Sequence, residues 1–288
     1  VRALAVSTLW LVATPIGNMN DLAPRAIDTL GSVALVCCED TRRTGLLLHR
    51  SGVRAERLAV CNDHTEDRCA DDVISVLDRG GDVALVSDAG SPGISDPGER
   101  LVRAVLERGH TVSAVPGPTA AIMALTTSGL PTGRFVFEGF LPRKGRERTE
   151  RLAGIALERR TTVIYEAPPR VRRTLDDLQA VCGDDRMVVV TRELTKLHEE
   201  TIRGSLGEID VGDPRGEYVL VVEGAPEPPP ATDEIVTAAL LDELGRGNST
   251  RDAAAVVAQQ TGRRKRDVYD LARTVKRTIV DHDAGEVR

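Results

Sequence analysis

Residues 87 to 98 read Ser87-Asp-Ala-Gly-Ser-Pro-Gly-Ile-Ser-Asp-Pro-Gly98. Glycine and proline at this density are incompatible with a regular helix or strand, so the segment is a shaped loop. It follows an apolar run, Val83-Ala-Leu-Val86, that predicts a strand, and it precedes an amphipathic helical pattern, Glu99–Arg108. In open α/β sheets, ligands bind at the C-terminal ends of the strands. The sequence therefore predicts an α/β fold with a small-ligand site at this loop.

The first 130 residues alternate between short apolar runs and helical patterns. The predicted strands are Leu9–Ala13, Val33–Cys38, Leu58–Val60, Val83–Ser87 and Thr111–Val115. The predicted helices are Leu22–Leu30, Glu66–Arg79, Glu99–Arg108 and Thr119–Ser128. This alternation predicts a mostly parallel sheet covered by helices on both faces. We assign it to a first domain, residues 1–130.

Several of these strands end in a turn rich in glycine, proline or charged residues. The turns are Thr14–Asn18, Glu39–Arg43, Ser87–Gly98 and Pro116–Pro118. Because the C-terminal ends of parallel strands meet at one edge of the sheet, we expect these turns to build one composite site. The charged residues of Glu39–Arg43 also fit a surface ion-pair cluster, and Asp88 and Asp96 also fit caps of turns or of the following helix.

A second α/β domain is predicted for residues 131–226, after a glycine-proline boundary at Gly129–Gly133. Its predicted strands are Phe135–Phe140, Thr161–Tyr165, Met187–Thr191 and Tyr218–Val222, and its helices lie around Glu147–Arg159 and Val171–Val181. The proline-rich segment Pro226–Pro230 then predicts a semi-rigid linker.

The residues from 232 to 280 have an all-helical pattern. Ser249-Thr-Arg-Asp252 resembles a capping box that starts a helix, and Thr261-Gly262 supplies its end. The next helix begins at the basic run Arg263-Arg-Lys-Arg266. This order is typical of a helix-turn-helix domain, although a small dimerisation or capping domain with a solvated basic face has the same pattern.

Composition narrows the class of protein. The formal net charge is −6, so a uniformly basic nucleic-acid binder is excluded, but local basic patches are not. The five cysteines lack CxxC and Cys/His ligand spacings, so we expect free thiols in a reducing cytoplasm and no metal site. Apolar runs are too short for a membrane span.

A set of ordered motifs carries a family resemblance. They are Leu11–Asn18, Cys38–Thr44, Ser87–Gly98, Pro116–Ala120, Phe137–Lys144, Tyr165–Arg170, Arg192–Lys196 and Gly216–Val219. Together they resemble the bacterial small-subunit rRNA (cytidine-2′-O)-methyltransferases of the tetrapyrrole methylase superfamily. The resemblance implies two α/β domains with S-adenosylmethionine in the cleft between them, a helical C-terminal domain and a homodimer. It also implies 2′-O-methylation of a cytidine in the decoding region of 16S rRNA, with the small ribosomal subunit as partner.

The resemblance also implies roles for individual residues. The residues expected to bind the cofactor are Pro15, Asp88, Gly90, Ser91, Ile94, Thr119, Ala120 and Tyr165. The basic residues expected to bind the RNA are Arg42, Arg43, Arg143, Lys144 and Arg192. Glycine and small residues let the backbone approach a ligand closely, and arginine suits phosphate.

Methyl transfer to a ribose hydroxyl needs alignment of the reacting atoms and help with removal of the hydroxyl proton. The candidate bases at strand ends are Glu39, Asp40, Glu166 and Glu193, with His64 as an alternative. A carboxylate beside Arg42 or Arg192 has a lowered pKa and is a poor base. We therefore expect orientation of the hydroxyl to contribute more than the strength of the base. Glu39 and Glu166 are our catalytic candidates.

Two other functions remain open at this point. A tetrapyrrole C-methyltransferase uses the same scaffold, although that branch typically has Gly-Asp-Pro where this chain has Gly90-Ser-Pro92. A non-enzymatic nucleic-acid-binding regulator would depend on residues 232–280 instead. Blocking the loop with a bulky residue at Ser91 distinguishes them, since only the enzymes depend on a cofactor there.

Overall fold

The computed structural model describes residues 7–62, 64–227 and 230–285, with side chains as far as Arg277. Residues 1–6 of the predicted first domain, and Pro228 and Pro229 of the predicted linker, lie outside the described residues. The chain divides into two compact units, one up to Ala225 and the other from Pro226. Both sheets belong to the first unit.

The first sheet is parallel and buried on both faces. Its strands are β1 (Thr8–Val12), β2 (Leu35–Cys38), β3 (Leu58–Val60), β4 (Val83–Leu85) and β5 (Thr111–Val115), in the order β3-β2-β4-β1-β5. Every pairing in it is parallel, with Leu9 of β1 opposite Val83 of β4 on one side and Val112 of β5 on the other. These continuous apolar runs are what a sheet covered on both faces requires.

The helices of this domain are α1 (Pro24–Ser32), α2 (Thr41–Arg50), α3 (Glu66–Leu77), α4 (Glu99–Glu107) and α5 (Ala120–Ser128). Helices α3 and α4 pack on the face that carries Leu9 and Leu85, whereas α1 and α2 pack on the opposite face around Val12 and Val36. The predicted sheet with helices on both faces is confirmed.

Helix α2 was not predicted: we expected Glu39–Arg43 to be a turn, and the helix begins at Thr41. Asp40 is its N-cap, because the Asp40 side chain accepts a hydrogen bond from the Arg42 backbone N–H at 2.8 Å.

The second sheet is mixed. Its strands are β6 (Phe135–Phe140), β7 (Thr161–Glu166), β8 (Met187–Arg192), β9 (Glu200–Ser205) and β10 (Tyr218–Val222), in the order β6-β7-β10-β8-β9. Helices α6 (Arg146–Leu157) and α7 (Val171–Cys182) cover it around a core that includes Ile164, Leu178 and Leu220. The edge strand β9 is absent from our predictions.

Helix α5 joins the two sheets. It follows the last strand of the first sheet, yet Ala121, Ala124 and Leu125 pack against Val163 and Val219 of the second. The turn before α5 therefore lies between the sheets, where residues of both can meet a ligand.

The second unit contains α8 (Asp233–Gly245), α9 (Thr250–Thr261) and α10 (Lys265–Gly285), which share a core that includes Val236, Leu240, Val257 and Val268. The predicted start and end of α9 are confirmed. The Asp252 N–H donates to the Ser249 hydroxyl at 3.2 Å, and Gly262 ends the helix in the left-handed conformation at φ +67°.

Candidate active site

A cavity of about 370 Å³ opens at the C-terminal edge of the first sheet. Its volume lies in the range of about 300 to 1,000 Å³ typical of small-molecule sites. The part of the chain that builds the first sheet contributes Ile16, Glu39, Arg43, Asp88, Ala89, Gly90, Ser91, Ile94, Ser95, Asp96, Thr119 and Ala120 to the lining. The part that builds the second sheet contributes Phe140, Tyr165, Glu166, Ala167, Pro168, Glu217, Tyr218 and Val219. We call this space the first cavity.

Backbone pairing fixes the loop after β4 to the loop after β1. The Thr14 N–H donates to the Gly90 carbonyl at 2.8 Å, and the Gly90 N–H donates back to Thr14 at 3.1 Å. Gly90 has a φ of +87°, and a Cβ atom there would lie 3.3 Å from Cγ2 of Ile16. A side chain at position 90 would be strained by its backbone and would crowd the cavity wall.

The same loop also contacts the second sheet. Ser95 has a φ of +61°, in the left-handed region that non-glycine residues seldom adopt. Its hydroxyl faces Gly139, at a register shift in β6, where a Cβ atom would lie 3.0 Å from the Ser95 Oγ. Such backbone strain is typical of functional sites, where the surrounding structure holds it in place.

The downstream end of the loop is fixed by Glu66 of α3. Its Oε1 accepts hydrogen bonds from the backbone N–H groups of Gly98 at 3.1 Å and Leu101 at 3.0 Å, and its Oε2 accepts one from Arg100 at 3.0 Å. The interpretation of Asp96 as the cap of α4 is wrong. The N-cap of α4 is Gly98, and Asp96 lines the first cavity.

Asp88 connects three parts of the site. Its backbone N–H donates to the Glu39 carboxylate at 3.0 Å, and its Oδ2 accepts from the Arg43 guanidinium at 3.1 Å. Its other oxygen, Oδ1, is buried and has no hydrogen-bond partner among the residues that the structure describes. A buried acceptor of this kind costs free energy unless a donor reaches it, so Oδ1 suits a hydroxyl or amino group of a ligand.

Tyr165 is a residue of β7, and its hydroxyl reaches the start of α5, where it accepts a hydrogen bond from the Ala121 N–H at 3.1 Å. Phe137 meets its ring edge-on at 5.0 Å between centroids, and Phe140 lies at 5.6 Å. Burial raises the pKa of the Tyr165 hydroxyl, so it stays protonated at neutral pH. The aromatic group therefore provides an apolar wall with one polar end.

The candidate bases differ in their surroundings. Glu166 is buried, with Arg170 at 2.9 Å from Oε1 and the Thr174 hydroxyl donating to Oε2 at 2.6 Å. Lys196 holds the pKa of Glu193 below its ordinary value, and hydrogen bonds from Arg42 lower the pKa of Asp40 to about 2. Of the candidates, Glu39 and Glu166 line the first cavity, and Asp40, Glu193 and the exposed His64 do not.

All the residues expected to bind the cofactor line the first cavity except Pro15. Pro15 lies on a second cavity of about 290 Å³ beside it. Sequence reasoning missed Phe140, Glu217 and Tyr218 as lining residues, although they belong to two of the motifs that carry the family resemblance. The predicted roles of these residues stay predictions.

The predicted RNA-binding residues are dispersed. Arg43 lines both cavities. Arg42 is exposed and pairs with Asp40 at 2.9 Å, and Arg143 and Lys144 lie in an exposed loop before α6. Arg192 pairs with Glu200 at 2.7 Å in a depression that shares no lining residue with the two cavities.

Within the described ranges, no group of three or more histidine, cysteine or acidic residues is arranged to hold a metal ion. Among the helices of those same residues, none is both long enough and apolar enough to cross a bilayer.

Two family descriptions match the chain. Tetrapyrrole (Corrin/Porphyrin) Methylases matches residues 8–210, and the RsmI C-terminal HTH domain matches residues 230–274. The first range includes the cavity-lining residues up to Glu166–Pro168. The second coincides with most of the three-helix unit.

Curated relatives align along nearly the whole chain. The ribosomal RNA small subunit methyltransferase I of Synechocystis sp. is 43% identical over 270 residues, which is 92% of this chain and 96% of that protein. The protein of the same name from Pseudomonas aeruginosa is 44% identical over 278 residues, which is 93% of this chain and 98% of that protein. The one from Mycobacterium bovis is 40% identical, with 91% and 93% covered.

Solved structures match in fold. The uroporphyrin-III-C-methyltransferase from Thermus thermophilus is 18% identical, with a TM-score of 0.55 over 75% of this chain and 94% of that chain. The methyltransferase CobJ is 20% identical, with a TM-score of 0.58 over 76% and 94%. At this identity the matches concern the fold alone, and they confirm the predicted fold class. The chain belongs to the tetrapyrrole (corrin/porphyrin) methylase family, among the ribosomal RNA small subunit methyltransferase I proteins.

Proposed function

We propose that this protein transfers a methyl group from S-adenosylmethionine to the RNA of the small ribosomal subunit. The observation that carries the proposal is the 40 to 44% identity to proteins named ribosomal RNA small subunit methyltransferase I, over more than nine tenths of the chain. The tetrapyrrole alternative has weaker support, since the matching structures named for that chemistry are under 25% identical. The motif resemblance favours the 2′-hydroxyl of a cytidine in the decoding region as the acceptor.

The residues of the first cavity fit the cofactor. The unpartnered Oδ1 of Asp88 suits hydroxyl or ammonium donors, and Gly90 leaves space that a side chain would occupy. Ser91, Thr119 and Ala120 offer small side chains and backbone groups around the same space, and Tyr165 offers an apolar ring. We assign adenosine and amino-acid contacts to these residues.

S-adenosylmethionine supplies a methyl group on a positively charged sulfur, so its leaving group needs no proton. The protein residues then have two tasks, which are holding the acceptor hydroxyl in line and accepting its proton. The oxygens of Glu166 already accept from Arg170, Thr174 and the Ala167 N–H, which favours a positioning role for Glu166. Glu39, whose carboxylate accepts from the Asp88 N–H, is the other candidate base in the first cavity, and we propose it as the proton acceptor.

We also propose an oligomeric state, a compartment and a form of the RNA substrate. A homodimer in the cytoplasm, acting on the folded subunit or on an assembly intermediate, agrees with the motif resemblance. RNA targets in folded particles are read through shape and through bases that leave the stack. The basic residues Arg42, Arg43, Arg143, Lys144 and Arg192 are the proposed contacts to that RNA.

The test uses small ribosomal subunits from a bacterial strain that lacks the corresponding gene. Incubation with the protein and S-adenosylmethionine should add one methyl group per subunit, and nuclease digestion with mass spectrometry should recover it as 2′-O-methylcytidine. Methylation of a base, or of another nucleotide, would reject the acceptor but keep the reaction class. Methyl transfer to a porphyrinogen and none to the subunit would overturn the proposed function.

A further inference from the structure

The second cavity, of about 290 Å³, lies beside the first and shares a wall with it. Both cavities are lined by Ile16, Arg43, Asp88, Ala89 and Glu217. The Asp88–Ala89 segment and the Arg43 side chain therefore form part of the wall between the two cavities. Of the roles given above, only the expected cofactor contacts of Pro15 and Asp88 and the proposed RNA contact of Arg43 fall in this second space.

One face of α2 lines the second cavity. Arg43, Leu47 and Arg50 are four and three residues apart, so they lie on the same side of the helix, and Leu46 adjoins them. Leu46 is half exposed although it is a large aliphatic residue. This face therefore combines two guanidinium groups with aliphatic surface.

The charges of this cavity are paired except at Arg50. Arg43 holds Asp88 at 3.1 Å, and Lys196 holds Glu193 at 2.8 Å and Glu217 at 3.0 Å. Arg50 makes no ion pair or side-chain hydrogen bond with any residue that the structure describes. The cavity thus carries one exposed, uncompensated cation next to the α2 leucines.

That combination fits a nucleotide. Guanidinium groups bind phosphate, and aliphatic side chains contact the apolar faces of a base and its ribose. Resting on the proposed function, we propose that the second cavity binds the RNA strand next to the target nucleotide. Arg50 contacts a backbone phosphate, Leu46 and Leu47 contact the adjoining nucleoside, and the target ribose enters the first cavity past Arg43.

The test is charge reversal at Arg50, with Arg79 as the matched control. Arg79 is an exposed arginine of the same domain that lines neither cavity. Arg50→Glu should weaken binding of the unmethylated small subunit roughly tenfold or more, as the loss of a charged hydrogen bond does. It should also reduce the slope of log K against log salt by about 1. Arg79→Glu should change neither quantity, and cofactor affinity should stay within about twofold for both.

A second pair of variants tests the aliphatic part. Leu46→Asp should weaken subunit binding, whereas Leu106→Asp, at a similarly exposed leucine of α4, should not. Equal effects of Arg50→Glu and Arg79→Glu, in a protein that methylates the subunit normally, would overturn this inference and leave the proposed function standing. A wild-type protein that binds the cofactor but never methylates the subunit would instead overturn the proposed function.

Discussion

Gly90 is a residue at which the site tolerates little change. Its backbone pairs with Thr14 in both directions, its φ is +87°, and a Cβ atom would press on Ile16 at 3.3 Å. Asp88, two residues before it, presents the buried Oδ1 that no described residue satisfies. The space at Gly90 and the hydrogen-bond acceptor at Asp88 together limit which ligands the first cavity can hold.

Gly90→Ala should therefore lower cofactor affinity at least tenfold, because the added methyl group both strains the backbone and crowds the wall. Gly109→Ala is the control, since Gly109 has a similar φ of +85° but no atom within 4 Å of an added Cβ. Both variants should lose about 1 to 2 kcal/mol of unfolding free energy from the left-handed conformation. Unchanged affinity in Gly90→Ala, measured by calorimetry, would contradict the account of the loop.

At the scale of elements, the loop depends on a contact between two helices. Glu66 of α3 accepts hydrogen bonds from Gly98 and Leu101 at the start of α4. Burial raises the pKa of Glu66. The hydrogen bond from the Leu101 N–H and the Arg100 guanidinium together lower it by a larger amount, so the net pKa is below the ordinary value of 4.5. The charged carboxylate therefore stabilises the fold above that pH, and the contribution is lost as the pH falls through the lowered pKa.

Glu66→Ala should lower the free energy of unfolding by about 2 to 3 kcal/mol, because two buried N–H groups lose their acceptor. Glu66→Gln should cost less, since an amide oxygen still accepts from the backbone. Chemical denaturation at several pH values measures both. The difference between wild type and Glu66→Gln should be largest above pH 4.5 and should shrink on acidification. A difference that grows in acid would show that the carboxylate is not the stabilising form.

Some strands and helices can be predicted from the sequence pattern, and others cannot. The strands of the first sheet are apolar and short, so their pattern identifies them. Helix α2 was missed because Leu46, Leu47 and Leu48 are consecutive and Gly45 precedes them, which hides the helical period. Strand β9, Glu200–Ser205, was missed because it is polar and pairs on one side with β8.

The residues of the site likewise include some that the sequence pattern can place and some that it cannot. The turns after β1, β2, β4 and β5 could be placed at one sheet edge by pattern alone. The capping of α4 by Glu66 could not, because it joins residues more than thirty positions apart. The contributions of Phe140 and Tyr218 also depend on how the second sheet faces the first, and hydrophobic periodicity carries no information on that arrangement.

At the scale of the whole molecule, the fold builds one small-molecule cavity from both sheets and a second beside it. Helix α5 connects the sheets, since it continues the first and packs on the second. The separate helical unit from Pro226 has its own core and its own family match. The first cavity, proposed to bind the cofactor, is lined by residues of the first unit, and so is the second cavity, proposed to bind RNA.

Titration of S-adenosylmethionine into the purified full-length protein, followed by calorimetry, tests the central claim that the first cavity holds this cofactor. The account predicts saturable binding at one site per chain, and it predicts that Asp88→Asn weakens that binding, because the mutation breaks the Arg43 contact and replaces the buried carboxylate with an amide. Absence of heat and of any thermal stabilisation by the methyl donor, in a protein that is folded, would contradict it.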